Sequence, residues 1–189
     1  MVMEKKVIYI EGTSDTDNGS LRMAFSKLLE KELRGKMPQV IMGDGKEQTI
    51  DKFLTKPLTN NEHRYLLVDS DQPVNQDVKR SIVKEIGDRK VNIKQTATID
   101  NVFLMVQEVE AWILSQPKVL NDIGLNTNAM PKCHPTEIHK PSTELSNIYR
   151  KAGKQYHKVS EFVRVFPMLN TQELKESFDE FRLLMDALK

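Results

Sequence analysis

Short apolar runs alternate with helical patterns over roughly the first 120 residues, and this alternation constrains the fold more than any other feature. The runs cover residues 7–10, 39–42, 65–68 and 102–106. Residues 20–33, with Ser20 as N-cap, and residues 46–54, 78–86 and 108–120 have helical spacing. Continuously apolar strands are typical of parallel sheets covered on both faces. The order predicts an α/β fold with a mainly parallel sheet of about four strands flanked by helices.

The remainder of the chain has no clear strand. Residues 121–141 are polar and contain three prolines, and residues 144–152, 159–166 and 172–188 have helical patterns. A tail of this size is small for a separate domain. We therefore expect residues 1–120 to form an α/β core and residues 121–189 to form a loop and a helical extension packed on that core, within a single domain.

Charge and cysteine content exclude several classes of function. Twenty-eight basic and 27 acidic residues give a net charge of +1, so a nucleic-acid surface would have to be local. The single cysteine, Cys133, cannot form an internal disulfide or a zinc site of several thiolates. No apolar run is long enough for a membrane span, and the N-terminus does not resemble a signal peptide. We expect a cytoplasmic protein with no membrane partner.

Acidic residues stand at the ends of two predicted strands. Glu11 follows the first strand, and Asp69 and Asp71 follow the third. Ligands of open α/β sheets bind beyond the carboxyl ends of the strands, and residues two apart in an extended segment point to one side. Carboxylates gathered there favour a hard cation such as Mg²⁺ or Mn²⁺. The alternative is that these acids only terminate strands or cap the following helices.

Two further glutamates follow the fourth strand. Glu108 and Glu110 stand where residues 108–120 begin their helical pattern, so their side chains should diverge by about 200°. Only one of them can then face Glu11, Asp69 and Asp71 at the carboxyl edge of the sheet, which we call the acidic rim. Glu108 is the more natural capping position. We therefore expect Glu110 to be the additional metal ligand.

Cations and aromatic side chains in two parts of the chain are candidate phosphate contacts. Lys154, Tyr156 and Lys158 are interleaved, a pattern that suits a phosphate backbone and stacked bases but equally a solvated helix junction. Lys46 follows the second strand, and Arg22 lies one turn into the first helix. Both are further candidates for an anion at the same rim.

The acidic motifs resemble those of the TOPRIM fold found in topoisomerases, primases and overcoming-lysogenisation-defect-type nucleases. Glu11-Gly12 corresponds to the family's Glu-Gly after the first strand, and Asp69-Ser70-Asp71 corresponds to its Asp-x-Asp. The resemblance implies that the acidic pair helps to hold Mg²⁺ and that Glu11 acts as a general acid or base or as a further ligand. The family often has a glycine shortly after the second aspartate, whereas Gln72-Pro73-Val74 follows here.

The chain more specifically resembles a TOPRIM-related domain-of-unknown-function family, number 4276. The similarity rests on residues 66–74 and 103–112, and it continues through residues 43–46, 147–158 and Ser177-Phe178. Members of this family are mostly bacterial and are often encoded beside ATPase genes in defence-like neighbourhoods. This implies an AAA- or ABC-type ATPase as a partner.

These observations predict a Mg²⁺-dependent nuclease or phosphoryl-transfer protein. Its catalytic residues would be Glu11, Asp69 and Asp71, and its substrate DNA or RNA. A second hypothesis is a non-catalytic metal- or nucleic-acid-binding subunit of an ATPase complex. A small-molecule phosphatase or nucleotide-binding protein using the same rim is a third.

Overall fold

A single parallel sheet of four strands lies at the centre of the protein. The computed structural model describes residues 5–13, 17–59 and 61–189. The strands are β1 (Lys5–Ile10), β2 (Gln39–Met42), β3 (Glu62–Asp69) and β4 (Val102–Met105). They lie in the order β2-β1-β3-β4, with Ile8 beside Val40 and Tyr65. The predicted α/β fold and its four strands are confirmed.

The strand order determines which helices cover each face of the sheet. The connection from β1 to β2 runs in one direction, and the connections to β3 and β4 run in the other. Right-handed crossovers therefore place α1 (Asn18–Leu33) on one face and α2 (Gly45–Thr55) and α3 (Gln76–Gly87) on the opposite face. The two hydrophobic clusters support this placement, because Ile8 of β1 packs in one cluster with Leu28 of α1, and Tyr9 packs in the other with Phe53 of α2. The direction reverses between β1 and β3, which makes their carboxyl ends the expected binding crevice.

The helices of the C-terminal part complete the cover on the α1 face. They are α4 (Glu110–Leu114), α5 (Pro117–Asp122), α6 (Pro141–Lys151), α7 (Lys158–Val165), α8 (Thr171–Ser177) and α9 (Asp179–Leu188), with 3₁₀ turns at Thr127–Ala129, Pro135–Glu137 and Phe166–Met168. Phe162, Phe166 and Phe181 are buried in the same cluster as Phe25 of α1 and Trp112 of α4. The helical C-terminal region is therefore packed on the sheet.

Two predicted helices are each divided in two. The helix predicted over residues 108–120 is interrupted at Gln116, because Pro117 disfavours helical geometry in the residue before it and begins α5. The helix predicted over residues 172–188 is interrupted at Phe178, which is extended (φ −133°, ψ 104°) and buried. No local signal marks that second break.

The start of α1 also differs from the prediction. The helix begins at Asn18, and the preceding Asp17 makes no side-chain cap. Ser20 therefore lies inside the first turn and is not the N-cap. The earlier start brings Asn18 to the end of the β1–α1 connection.

Candidate functional site

Glu11 and Asp69 meet at the point where the strand order reverses. Glu11 follows β1 and extends its pairing with β3, since its N–H donates to the Leu67 carbonyl at 3.0 Å. Its carboxylate oxygen Oε2 accepts a hydrogen bond from the Asp69 N–H at 2.9 Å. Asp69 Oδ1 in turn accepts from the N–H of Val109, beyond β4, at 2.9 Å. The two acids are therefore held at the carboxyl ends of neighbouring strands.

Burial perturbs the acid–base behaviour of both carboxyl groups. Asp69 is only 7% exposed, and its pKa is raised well above the usual range by burial first and by the negative charge of Glu11 second. The pKa of Glu11 is also raised by burial, although the hydrogen bond from the Asp69 backbone and the Lys46 charge oppose the shift. An approaching cation would relieve the repulsion between the two groups.

Glu110, Tyr156 and Lys158 form a second group of contacts at the same site. Glu110 is 1% exposed, and its Oε1 accepts from the Tyr156 hydroxyl at 3.1 Å and lies 3.3 Å from Lys158 Nζ. Burial alone would lower the pKa of Lys158, but the Glu110 and Asp69 carboxylates raise it above its ordinary value. The pKa of Tyr156 is raised by burial and by the Glu110 charge.

One atom of this group has an unmet hydrogen-bonding capacity. Among the described residues, Oε2 of Glu110 is buried without a hydrogen-bond partner. A buried carboxylate oxygen without a donor is costly. It is therefore a candidate contact for a bound cation or water.

Asp71 has a different environment from Asp69. Its backbone is left-handed (φ 57°), so the segment is not the extended one that would point both side chains to one side. The Asp71 side chain is 66% exposed and its Oδ2 accepts from Lys46 Nζ at 2.6 Å. Its charge still raises the pKa of Glu11 and of Asp69. Asp71 and Lys46 thus form an exposed outer part of the acidic rim.

Position 12 of the Glu11-Gly12 motif has no room for a side chain, which explains why it is glycine. A Cβ at position 12 would overlap both the Asn18 side chain and the Gly43 carbonyl oxygen. Asn18 joins these parts, because its Nδ2 donates to the Gly43 carbonyl at 3.0 Å and its Oδ1 accepts from the Thr13 N–H at 3.3 Å. Close approach of the ends of β1 and β2 thus requires glycine here. Sequence reasoning missed Asn18, whose only signal was an asparagine at a helix start.

Three residues considered from the sequence lie outside this group of contacts. The Lys154 ammonium donates to the Ile123 and Gly124 carbonyls at 2.8 and 3.3 Å. Arg22 is exposed on α1. Glu108, considered as a cap for its own helix, instead accepts from the Ser142 N–H at the start of α6, at 2.7 Å.

A small cavity lies between the strand ends and α7. It measures about 10 Å³ and is lined by Glu11, Asp69 and Lys158 together with Phe25 and Phe162 of the core. That volume is close to the space one water molecule needs. Within the described parts of the chain, no three carboxylate, imidazole or thiol groups are arranged to hold a metal ion together.

A family model covers both groups of contacts. Residues 10–189 match the model described as "Domain of unknown function (DUF4276)". The chain belongs to this family. Comparison with curated proteins found no significant match, and comparison with solved structures likewise found none.

The part of the DUF4276 chain that matches contains every residue of the rim. Glu11 lies one residue inside its start, and Lys158 lies in its C-terminal helical region. No helix in the described residues is long and apolar enough to cross a membrane. The family match therefore encloses one site built from both the α/β core and the helical extension.

Proposed function

We propose that this DUF4276 protein is a TOPRIM-type, Mg²⁺-dependent phosphoryl-transfer protein that acts as a nuclease on DNA or RNA. The observation that carries the proposal is the approach of three carboxylates, from Glu11, Asp69 and Glu110, to the Lys158 ammonium at the switch point of the sheet. Acids beside a cation at this place suit a phosphate ester bound through a metal ion.

Each residue has a role that suits its surroundings. Glu11 and Asp69 would hold the ion. Asp71 and Glu110 would become further ligands once their side chains had left Lys46 and Lys158, because no three carboxylates of the described residues are arranged to hold a metal ion as they stand. When bound, Mg²⁺ supplies Lewis-acid polarisation of a phosphate and lowers the pKa of a bound water. Glu11 would act as a general acid or base or as a further ligand, as the TOPRIM resemblance implies, and in the metal-free protein burial raises the pKa of its carboxyl group.

Two features support the fit of a divalent ion to these residues. The donors are hard carboxylate oxygens, which Mg²⁺ and Mn²⁺ prefer. The buried Oε2 of Glu110 lacks a hydrogen-bond partner among the described residues, and a cation would satisfy it. Lys158, and Lys46 at the exposed edge, carry the positive charge that a nucleic-acid backbone requires.

A cleavage assay with a matched pair of variants tests the proposal. We expect nicking of supercoiled plasmid DNA or cleavage of single-stranded RNA with Mg²⁺ or Mn²⁺, abolished by EDTA and by Asp69→Asn. Glu108→Gln is the control, because Glu108 lies two positions before Glu110 but accepts from the start of α6, which an amide oxygen can also do. Equal activity in wild type, Asp69→Asn and Asp71→Ala would refute catalysis at this rim.

A second candidate function is that of a non-catalytic subunit of an AAA- or ABC-type ATPase complex. It is favoured by Asp71, whose exposed carboxylate pairs with Lys46 outside the buried group. Such a rim would bind metal or nucleic acid only after a partner had completed it. Co-purification with an ATPase encoded beside it tests this, and failure to associate in any nucleotide state would argue against it. Either function is proposed for the cytoplasm.

A further inference from the structure

Lys158 is the cation that faces the buried acids. It is the first residue of α7, its side chain is 35% exposed, and its ammonium lies 3.3 Å from Glu110 Oε1. It also lines the small cavity shared with Glu11 and Asp69. Both of those carboxylates, like Glu110, act to raise its pKa. Lys158 therefore interacts with Glu11, Asp69 and Glu110, the three acids that we call the inner site.

The helix that carries Lys158 does not explain this position. A cation at the first residue of a helix faces the positive end of the helix dipole, which is unfavourable. Burial of the side chain is unfavourable for an ammonium as well. The compensating interaction comes from the acids, because buried carboxylates are destabilising unless a positive charge is near. The Lys158 ammonium is thus held by the acidic site, together with the ring of Phe162 in the same helix, whose centroid lies 5.5 Å away.

The same interaction restricts what Glu110 can do. Its Oε1 is occupied by Lys158 and by the Tyr156 hydroxyl, while Oε2 has no partner among the described residues. A lysine ammonium and a divalent cation would both bind to these oxygens. Because both are positively charged, they would repel each other in a site of this size. The ammonium and a divalent cation therefore cannot both bind tightly to the Glu110 carboxylate at the same time.

We propose that Lys158 is the resident counter-cation of the metal-free site and that a divalent metal ion must displace its ammonium from Glu110. This rests on the proposed metal binding and deepens it by assigning a regulatory role to Lys158. Metal loading would release the ammonium toward the exposed side of the rim. The positive charge would then become available for a substrate phosphate only after the metal had arrived.

The chain around Lys158 permits such a release. The lysine is preceded by an irregular connection that begins after α6 and includes Gly153 with a left-handed backbone (φ 69°). The rest of α7 is fixed by Phe162, whose ring stacks on Phe166 at a centroid distance of 4.6 Å. Release therefore requires rotation of one long side chain and no movement of the helix.

Direct measurement of Mn²⁺ affinity tests the competition. Isothermal titration would compare wild type with Lys158→Met, which keeps most of the side-chain length but removes the charge. Because the variant lacks the competing ammonium, we expect it to bind Mn²⁺ on the order of tenfold more tightly, equivalent to about 1.4 kcal/mol. Lys154→Met is the matched control, since Lys154 lies in the same segment but donates to backbone carbonyls. Its affinity should equal that of wild type.

A second measurement uses the unaltered protein. Lysine acetylation by an activated ester, quantified by peptide mass spectrometry, would be compared in EDTA and in saturating Mn²⁺. We expect the labelling rate of Lys158 to increase severalfold with Mn²⁺ and that of Lys154 to stay constant. This readout remains decisive if Lys158→Met fails to fold.

The outcomes separate this inference from the proposed function. Saturable Mn²⁺ binding with equal affinity in wild type and Lys158→Met, or an unchanged or decreased labelling rate of Lys158, would overturn the displacement and leave the metal site intact. Absence of saturable Mn²⁺ binding in wild type and in Lys158→Met would overturn the metal site and the displacement together.

Discussion

Replacement of Asp69 by asparagine should stabilise the metal-free protein. Asparagine has nearly the same shape, and its amide oxygen can still accept the hydrogen bond that the Val109 N–H gives to Asp69 Oδ1 at 2.9 Å. The negative charge, however, is removed from a side chain that is only 7% exposed and lies beside Glu11. A substitution at the proposed metal site would thus be favourable for folding and harmful for function.

The sign and size of the effect follow from the raised pKa of Asp69. Above the ordinary aspartate pKa of about 3.9, the unfolded chain has lost a proton that the folded protein still holds, because burial raises the pKa of Asp69 in the folded state. Metal-free wild type therefore loses stability as the pH rises through this window, by up to about 1.4 kcal/mol per pH unit for one proton. Asparagine cannot ionise, so the advantage of the variant should grow as the pH rises above about 4 and level off above the raised pKa of Asp69.

Urea and thermal denaturation in EDTA would measure this difference. For a domain of this size, 1 kcal/mol corresponds to a change in Tm of about 2–4 °C. The control is Glu180→Gln, at a buried carboxylate that accepts from Lys79 Nζ at 2.9 Å and from the Leu104 N–H at 3.1 Å. Breaking that buried ion pair should destabilise the protein by about 3 kcal/mol. If Asp69→Asn were less stable than wild type at pH 8 while Glu180→Gln behaved as expected, the reasoning from burial and repulsion would be refuted.

Three other substitutions test separate parts of the structure by urea denaturation. Lys46→Met removes an ion pair whose Asp71 partner is 66% exposed, so the loss should stay below about 1 kcal/mol, and a loss twice as large would contradict the assignment of an exposed pair. Trp112→Phe removes an indole N–H that is buried without a partner among the described residues. Removal of this donor should raise the free energy of unfolding by about 1–3 kcal/mol and so largely offset the lost packing. Unfolding would be followed by circular dichroism, because Trp112 is the only tryptophan. Gly12→Ala introduces a Cβ that overlaps Asn18 and Gly43, whereas a Cβ at Gly19 meets nothing within 4 Å; we expect a loss of about 1–3 kcal/mol at position 12 and no loss at position 19, and equal effects would argue against the close approach at Gly12.

Local patterns were sufficient for most of the fold. Strands β1, β3 and β4 were recognisable because a strand buried on both faces contains a continuous apolar run, as Leu66, Leu67 and Val68 show. The edge strand β2 begins at the exposed Gln39 and is apolar only from residue 40. The break before Pro117 could also have been predicted, since the residue before a proline avoids helical geometry. The break at Phe178 could not, because no glycine or proline marks it and the extended residue is held by burial of its own ring.

The sequence by itself determined the strands of the sheet and the position of Glu11 and Asp69 at their carboxyl ends. The tertiary structure brought the two acids together, because it made β1 and β3 neighbours. Only the tertiary structure decided that Asp71 turns outward and pairs with Lys46, and that Lys158 rather than Lys154 reaches the buried acids. It also decided that Tyr156 contacts Glu110, 46 positions away in the chain. Periodicity reports which face of an element is buried, whereas contacts between distant elements depend on how the helices pack against the sheet.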